Sequence, residues 1–219
     1  MDDAPPRPFR RPSLRSAVSE EANTEGQPGV GRVEAFSDGV LAIIITIMVL
    51  ELKAPEEPGV EHLWHLWPTF LAYALSFAYV GVYWVNHHRL FSHARRVTNG
   101  LVWYNLFLLF ALSLIPFSTA YLGAQHFSRD ATLLYMATML FPALSYIPLQ
   151  NVIRKTGAKT MVAETYHRQT QRKGIAATAI YLVGVPLTLI SPWAGIGCAT
   201  IVAILWFLPR SPIDDLFGD

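Results

Sequence analysis

An acidic side chain, Asp38, stands at the head of a long and largely apolar run, residues 39–50. Residues 32–52 number 21, and as an α-helix such a stretch is about 30 Å long, the thickness of the hydrocarbon core of a bilayer. A carboxylate inside a membrane helix is costly unless it has a polar partner. Asp38 therefore predicts either a functional site or a polar contact between helices.

The opposite face of the same helix carries a column of side chains at helical spacing, Ile43, Thr46, Ile47 and Leu50. At about 100° per residue these four fall within about 100° of arc, whereas Asp38 lies about 140° from Ile43. From the residues alone, such a column is typical of helix–helix packing. The alternative is the wall of a pore, made of branched apolar groups and a single hydroxyl.

The elements that position these side chains are those of an integral membrane protein. Of the 219 residues 52% are apolar and only 15% are charged, against about 25% charged in soluble domains. The apolar runs predict an all-α fold with six transmembrane helices at approximately 33–52, 65–88, 99–122, 131–153, 174–190 and 193–208. The third of these contains Pro116, which predicts a kink.

The remaining segments are predicted to lie outside the transmembrane domain of residues 32–209. Residues 1–31 are poor in large apolar side chains and are predicted to form a disordered arm. Residues 154–173 form a basic connector, either a loop or a helical extension close to anionic lipid head groups. Residues 210–219 form a short tail.

Basic residues are distributed unevenly between the two sides of this plan. Of the 17 lysines and arginines, all except Lys53 and Arg129 fall in or next to four segments. These are the arm, the loop between the second and third helices, the connector between the fourth and fifth helices, and the tail. Cytoplasmic segments carry an excess of Lys and Arg. We therefore predict a multi-pass protein of the cell inner (plasma) membrane with both termini cytoplasmic.

The first helix opens with the pattern Arg-x-x-x-Phe-Ser-Asp, formed by Arg32, Phe36, Ser37 and Asp38 and followed by GVLAIIITIMVLEL. This stretch resembles the first helix of the transmembrane protein 175 family, the endolysosomal potassium channels and their bacterial relatives. The segments YWVNHHRLF and NLFLLFALSLIPFST extend the resemblance to the second and third helices. The resemblance implies a homotetrameric potassium channel in which the first helix of each chain lines a central pore.

The resemblance also implies roles for the column on the first helix. Ile43 is expected at a narrow apolar constriction that gates by dewetting, with Ile47 and Leu50 as further apolar layers and Thr46 as a hydroxyl ring. The sequence contains no TVGYG loop. Selectivity for potassium over sodium is therefore expected to be moderate and to come from pore diameter and ion dehydration. The permeant ion is K⁺, and no cofactor is expected.

The charged head of the first helix is expected to tie it to its neighbours. The resemblance implies that Arg32, Phe36, Ser37 and Asp38 belong to a helix-packing network. The candidate partners at the matching depth are Trp84, Asn86, His87, His88, Tyr104 and Asn105. A hydrogen bond from a histidine of the second helix to Asp38 is expected.

An acid follows the column directly. Glu51 comes after Leu50 and is expected at the outer mouth, where its charge could raise the local cation concentration. An ordinary solvated loop is the alternative.

Other classes of function find little support. The cluster NHHRLFSH suggests metal ligands. One cluster cannot fill the coordination spheres of the two iron ions in a di-iron enzyme, so histidines at the membrane interface are favoured. No nucleotide-binding or catalytic-triad motif is present, so no enzyme and no metal site is predicted. The net charge of +1 gives no reason to expect nucleic acid. Two rivals stay open: a proton-coupled secondary transporter using Asp38 and the histidines of the second helix, and a non-conducting structural subunit.

Overall fold

A computed structural model of the chain describes residues 28–55, 59–157 and 159–207, and within these ranges it contains helices and no strand. The α-helices are α1 (Pro28–Val49), α2 (Trp67–Phe91), α3 (Asn99–Ser113), α4 (Ile115–Ala124), α5 (Arg129–Thr156), α6 (Met161–Ile190) and α7 (Pro192–Phe207), and a 3₁₀ helix (Val60–Leu66) precedes α2. The predicted all-α class is confirmed. The tail and residues 1–27 of the arm lie outside the described residues, while residues 28–31 form the first turn of α1.

The predicted third helix is divided into α3 and α4. Leu114 lies between the two helices, as the C-cap of α3 and the N-cap of α4. Pro116 follows within the first turn of α4, and since proline has no N–H it cannot bond to the carbonyl of Leu112. The helical hydrogen bonds are therefore interrupted here, so the predicted kink is a break between two helices. By contrast, Pro142 and Pro148 lie inside an uninterrupted α5.

The predicted bounds of the basic connector, residues 154–173, are wrong. The helix before it runs on to Thr156, and α6 begins at Met161 instead of at residue 174. Thr160 caps α6, since its hydroxyl oxygen accepts a hydrogen bond of 3.2 Å from the backbone amide of Ala163. With 30 residues α6 is about 45 Å long, longer than a hydrocarbon core. Part of the predicted connector is therefore helical and continuous with the predicted fifth helix, and its place close to lipid head groups stays a prediction.

The centre of the bundle is α5, which packs against every helix from α2 to α7. The first helix packs against α2, α3 and α4. Four helical stretches have the length and composition of membrane spans: Val60–Phe91, Asn99–Ala124, Arg129–Thr156 and Ala163–Ile190. The seventh helix is apolar but has 16 residues, and α1 carries three charged side chains in its first half, Arg32, Glu34 and Asp38. The protein is thus multi-pass, and the count of six spans stays a prediction.

The two ends of the bundle differ in chemistry. At one end Gly29 lies against Val97 and Gly157 against His93. This packing brings together the start of α1, the α2–α3 loop and the α5–α6 loop, which we call the basic end. At the other end the rings of Trp67, Phe127 and Trp193 stack with centroids 5.1–6.3 Å apart. The loops predicted to share one side of the membrane therefore share one end of the bundle.

Candidate functional site

The first helix has a covered face and an uncovered face. Its covered face, buried in the bundle, consists of Val30, Ser37, Leu41, Ile44 and Met48. The predicted pore residues lie on the other side: Ile43 is 58% exposed, Ile47 44% and Leu50 70%, and Thr46 is exposed too. All four members of the column thus lie on a surface that no other part of the described chain covers. We call it the α1 column.

Thr46 is the one polar member of the α1 column. Its hydroxyl donates to the backbone carbonyls of Ala42 and Ile43, 2.9 and 3.1 Å away. Because the hydroxyl hydrogen is directed back to the helix, the oxygen keeps lone pairs for the exposed side. That oxygen can therefore act as an acceptor, or as a ligand for a cation, in an otherwise apolar column.

The helix ends earlier than residue 52, the predicted end. Its last α-helical residue is Val49, and the following amides turn more tightly, with Leu50 N bonding to Ile47 O and Leu52 N to Val49 O, both at 3.0 Å. Glu51 lies within this turn, where its amide bonds to Met48 O at 3.3 Å, and its side chain is exposed. The carboxylate is thus close to the end of the α1 column, and its effect on cations stays a prediction.

On the covered side, a buried chain of hydrogen bonds joins three helices. Ser37 is fully buried and its hydroxyl donates to Val33 O at 2.8 Å. The Asn105 amide nitrogen on α3 donates to the Ser37 hydroxyl at 2.8 Å, and its oxygen lies 2.8 Å from His87 Nε2 on α2. Since the amide oxygen only accepts, His87 Nε2 carries the proton and donates. These three side chains tie α1, α2 and α3 together away from water.

Two further links join α1 to α2 at the surface. The Trp84 indole N–H donates to Asp38 Oδ1 at 3.0 Å. The imidazole of His88 lies 2.8 Å from Glu34, joined through Nδ1 and Oε1. The expected hydrogen bond from a histidine to Asp38 is therefore wrong, because the indole lies opposite the aspartate and the histidine one turn further along α2 faces Glu34. We call these links and the buried chain together the polar anchor.

The polar anchor follows a simple register. Its residues on α1 are Glu34, Ser37 and Asp38, and those on α2 are Trp84, His87 and His88. Both sets have the spacing i, i+3, i+4, which places each set on one helical face. The two helices are antiparallel, so the earliest acid on α1 meets the latest residue on α2. Glu34 was missed from the sequence, although it precedes Asp38 by one turn.

Other predicted members of the network lie elsewhere. Arg32 and Phe36 line a surface cavity of about 360 Å³ between α1 and α3, and Asn105 lines the α3 side of the same cavity. The phenyl ring is 56% exposed. Asn86 donates to the carbonyl of Val82 in its own helix, and Tyr104 is 40% exposed. Of the four motif residues, Ser37 and Asp38 form hydrogen bonds to other helices, whereas Arg32 and Phe36 line the cavity.

The histidines of the second helix and its loop serve separate partners. His87 contacts Asn105, His88 contacts Glu34, and His93 bonds to the carbonyl of Arg89 and stacks on Tyr166 at 4.6 Å. Among the described residues no three His, Cys, Asp or Glu side chains are grouped so that they could hold a metal ion.

A second buried polar cluster was not anticipated. Ser76 on α2 lies 3.0 Å from the Tyr135 hydroxyl on α5 and 2.7 Å from that of Thr119 on α4. Thr119 also lies 3.9 Å from the sulfur of Met48 on the covered face of α1. The three hydroxyls come from different helices with no shared motif, so only the packing reveals them.

Comparison with known proteins agrees with this arrangement. A sequence model of the family described as "Endosomal/lysosomal potassium channel TMEM175" matches residues 32–116, a range that includes the α1 column and every residue of the polar anchor. A protein of Chryseobacterium sp. (strain P1-3) named a potassium channel is 43% identical over 185 residues, or 84% of this chain and 95% of the relative.

Two further comparisons extend the similarity. A human protein named "Endosomal/lysosomal proton channel TMEM175" is 37% identical over 111 residues, 45% of this chain and 22% of that protein. Among solved structures, one titled "Crystal structure of a lysosomal potassium-selective channel TMEM175 homolog from Chamaesiphon Minutus" superposes with a TM-score of 0.70. It shares 34% identity and the match covers 82% of this chain and 97% of that chain.

Proposed function

Because this chain belongs to the TMEM175 family, we propose that it is a potassium-permeable ion channel whose pore is lined by α1. The α1 column is the observation that carries the proposal. It is the uncovered face of a helix whose opposite face is anchored by buried polar contacts, and it carries one hydroxyl among apolar groups. Bacterial relatives that match most of this chain are named potassium channels.

A single chain cannot surround a pore with α1 alone, so the proposal requires several copies. We take the assembly to be a homotetramer in the lipid bilayer, with four α1 columns around a common axis. The basic end faces the cytoplasm, since it gathers the loops richest in Lys and Arg. Both termini are then cytoplasmic in the inner membrane.

In this assembly Ile43 forms the gate. Four isoleucine side chains at one level make an apolar ring from which water withdraws when the ring is narrow. Rotation or outward movement of α1 readmits water and ions. Thr46 adds a ring of oxygens one turn further along, which replaces part of the hydration shell of a passing ion. This arrangement predicts a moderate preference for potassium over sodium.

The decisive experiment is a flux assay in liposomes. Purified wild-type protein and the variant Ile43→Asn are reconstituted into vesicles loaded with KCl, and ion-driven flux is measured with potassium and then with sodium outside. A polar ring no longer dewets, so the variant is expected to raise flux at least severalfold. The matched control is Ile201→Asn on α7, where the isoleucine is 55% exposed, close to the 58% of Ile43.

The outcomes separate the proposal from its rivals. Potassium-preferring flux that rises in Ile43→Asn and not in Ile201→Asn supports a channel gated on α1. Flux that saturates with ion concentration, ignores Ile43 and disappears in Asp38→Asn supports a proton-coupled transporter. No flux from either the wild type or Ile43→Asn, with tetramers verified for both, supports a structural subunit.

Proton conduction is the second candidate, because animal relatives in the same family are named proton channels. The same vesicles test it with a pH gradient and a pH-sensitive dye in place of the potassium gradient. Proton flux without potassium flux would replace the potassium proposal.

A further inference from the structure

A cleft of about 700 Å³ opens between α2 and the pair α6 and α7. One residue of α1, Ile45, also reaches its wall. The cleft is distinct from the α1 column, whose members do not line it. Its volume is within the range of about 300–1,000 Å³ that is common for ligand sites.

The lining of the cleft changes along the bundle. Towards the basic end it is polar, with Asn86, Arg89, Tyr166, Gln169, Thr170 and Lys173. Towards the middle of the bundle it is apolar, with Ile45, Phe77, Ala78, Val82 and Val85. A site with one polar and one apolar end fits an amphipathic ligand whose head lies at the basic end.

Among the described residues that line the cleft, the charged side chains all have the same sign. Of the described residues that line the cleft, two are cations, Arg89 and Lys173, and none is acidic. Arg89 is exposed at the mouth, whereas Lys173 is only 8% exposed within the wall. The two cations come from different helices, so an anionic group between them is attracted from both sides.

The depth of these cations matches that of lipid head groups. Lys173 lies 17 positions before Ile190 at the far end of α6, and Arg89 lies 22 positions after Trp67 at the far end of α2. At 1.5 Å per residue these distances are about 26 and 33 Å, close to the thickness of the hydrocarbon core. Trp84 and Trp206 line the cleft as well, and tryptophan is enriched at this interface.

We propose that this cleft binds an anionic phospholipid of the leaflet that meets the basic end. The phosphate lies between Arg89 and Lys173, and the upper part of one acyl chain lies along Phe77, Val82 and Val85. The proposal concerns binding and stands apart from conduction, so it holds or fails whatever the flux assay shows.

The bound lipid would contact the part of the protein that holds α1. Trp84, on the wall of the cleft, donates to Asp38 in the polar anchor. Ile45 belongs to α1 itself, on the side away from the α1 column. Occupancy of the cleft is therefore expected to stabilise the packing of α1 on α2.

The test is lipid retention by the full chain in detergent, measured by native mass spectrometry with added phosphatidylglycerol or phosphatidylcholine. Wild-type protein is expected to retain phosphatidylglycerol preferentially. The double variant Arg89→Gln/Lys173→Gln is expected to bind it roughly 30-fold more weakly, since each cation near a head group contributes a factor of about five. The matched control is Arg154→Gln/Lys155→Gln, two exposed cations at the same end outside the cleft.

A second variant tests the apolar part without changing charge. Gly81 lines the cleft, and a Cβ added there meets no atom within 4 Å. Gly81→Phe should therefore fold normally while its ring occupies the space of the acyl chain, and retention of phosphatidylglycerol should fall. Normal folding is checked by circular dichroism and elution volume.

Four results would overturn the proposal. Equal retention of the two lipids, or unchanged retention in Arg89→Gln/Lys173→Gln, would remove the anionic head group from the cleft. Retention only after truncation beyond Phe207 would show that the end of the chain occupies the site. Loss of the oligomer in Gly81→Phe with unchanged retention of lipid would assign the cleft to a second copy of the chain.

Discussion

The indole nitrogen of Trp84 lies 3.0 Å from the carboxylate of Asp38, and this hydrogen bond links α2 to the helix that carries the α1 column. Asp38 is five residues before Ile43, so the two side chains point about 140° apart around α1. A contact that holds the aspartate therefore also fixes the direction in which the isoleucine points. The polar anchor and the α1 column therefore lie on different faces of one helix, and the contacts of the anchor set the orientation of the column.

Trp84→Phe tests this relationship. The substitution keeps an aromatic ring but removes the N–H donor, so α1 should rotate more freely about its axis. We expect a loss of about 1 kcal/mol in stability, below the range of about 1.5–3 kcal/mol for hydrogen bonds to charged groups, because the pair is exposed. We also expect altered potassium flux, measured in liposomes. Trp206→Phe, on α7, is the control. Equal flux from both variants would show that the hydrogen bond between Trp84 and Asp38 does not orient the α1 column.

The buried and surface links of the anchor should differ in strength. Asn105→Ala leaves His87 without its acceptor and Ser37 without one donor, both buried. We expect this to cost about 2–4 kcal/mol in the free energy of unfolding. His88→Ala breaks a link of the same length, 2.8 Å, but His88 is 62% exposed, so the cost should be less than about 1 kcal/mol.

Chemical unfolding of both variants in detergent compares them directly. The wild-type protein is the reference, and His88→Ala serves as the control for the loss of a link between α1 and α2. Equal losses of stability in the two variants would mean that burial does not decide the contribution of these contacts.

The hydroxyl of Thr46 is expected to affect ion selectivity. Thr46→Val keeps the shape of the side chain and removes the oxygen, so the potassium-to-sodium flux ratio should change by about twofold or more. The control is Thr200→Val on α7, where the hydroxyl likewise bonds to a carbonyl four residues earlier at 2.9 Å. An unchanged ratio in Thr46→Val would exclude the threonine layer as a selectivity element.

The second polar cluster should contribute to stability without affecting selectivity. Ser76→Ala removes the group that lies within hydrogen-bond distance of both Tyr135 and Thr119, so two buried hydroxyls lose a partner. We expect a cost of about 1–3 kcal/mol. Tyr135→Phe removes one hydroxyl and leaves the other contact, so its cost should be smaller. Thermal unfolding in detergent measures both, and the reverse order would contradict the assignment of Ser76 as the centre.

The two faces of α1 could be predicted from the sequence because one helical period relates their residues. The angle between Asp38 and Ile43 follows from position alone, and in the structure Ile43 is exposed while Leu41 and Met48 are buried. The family was also recognisable, since four residues of its motif lie within seven positions. Features internal to one helix are fixed by local geometry, and they are the features that the sequence predicts well.

Contacts between helices could not be predicted to the residue. Whether Asp38 meets a histidine or Trp84 depends on the relative height of two antiparallel helices, and a shift of one turn exchanges the partners. The cluster around Ser76 depends on the packing of three helices in the same way. The start of α6 was missed for another reason. Its first turns are polar, and the cap at Thr160 is a weaker signal than an apolar run.

Glu51 provides a prediction that depends on salt. If its carboxylate lies at the mouth of the pore, Glu51→Gln should lower potassium flux by up to about threefold at 10 mM salt, where the Debye length is about 30 Å. At 1 M salt that length is about 3 Å, and the difference from wild type should vanish. The control Glu164→Gln removes an exposed carboxylate near the start of α6, at the basic end, and should leave flux unchanged at both concentrations. Flux from Glu51→Gln that equals wild type at 10 mM would make residue 51 part of an ordinary solvated loop.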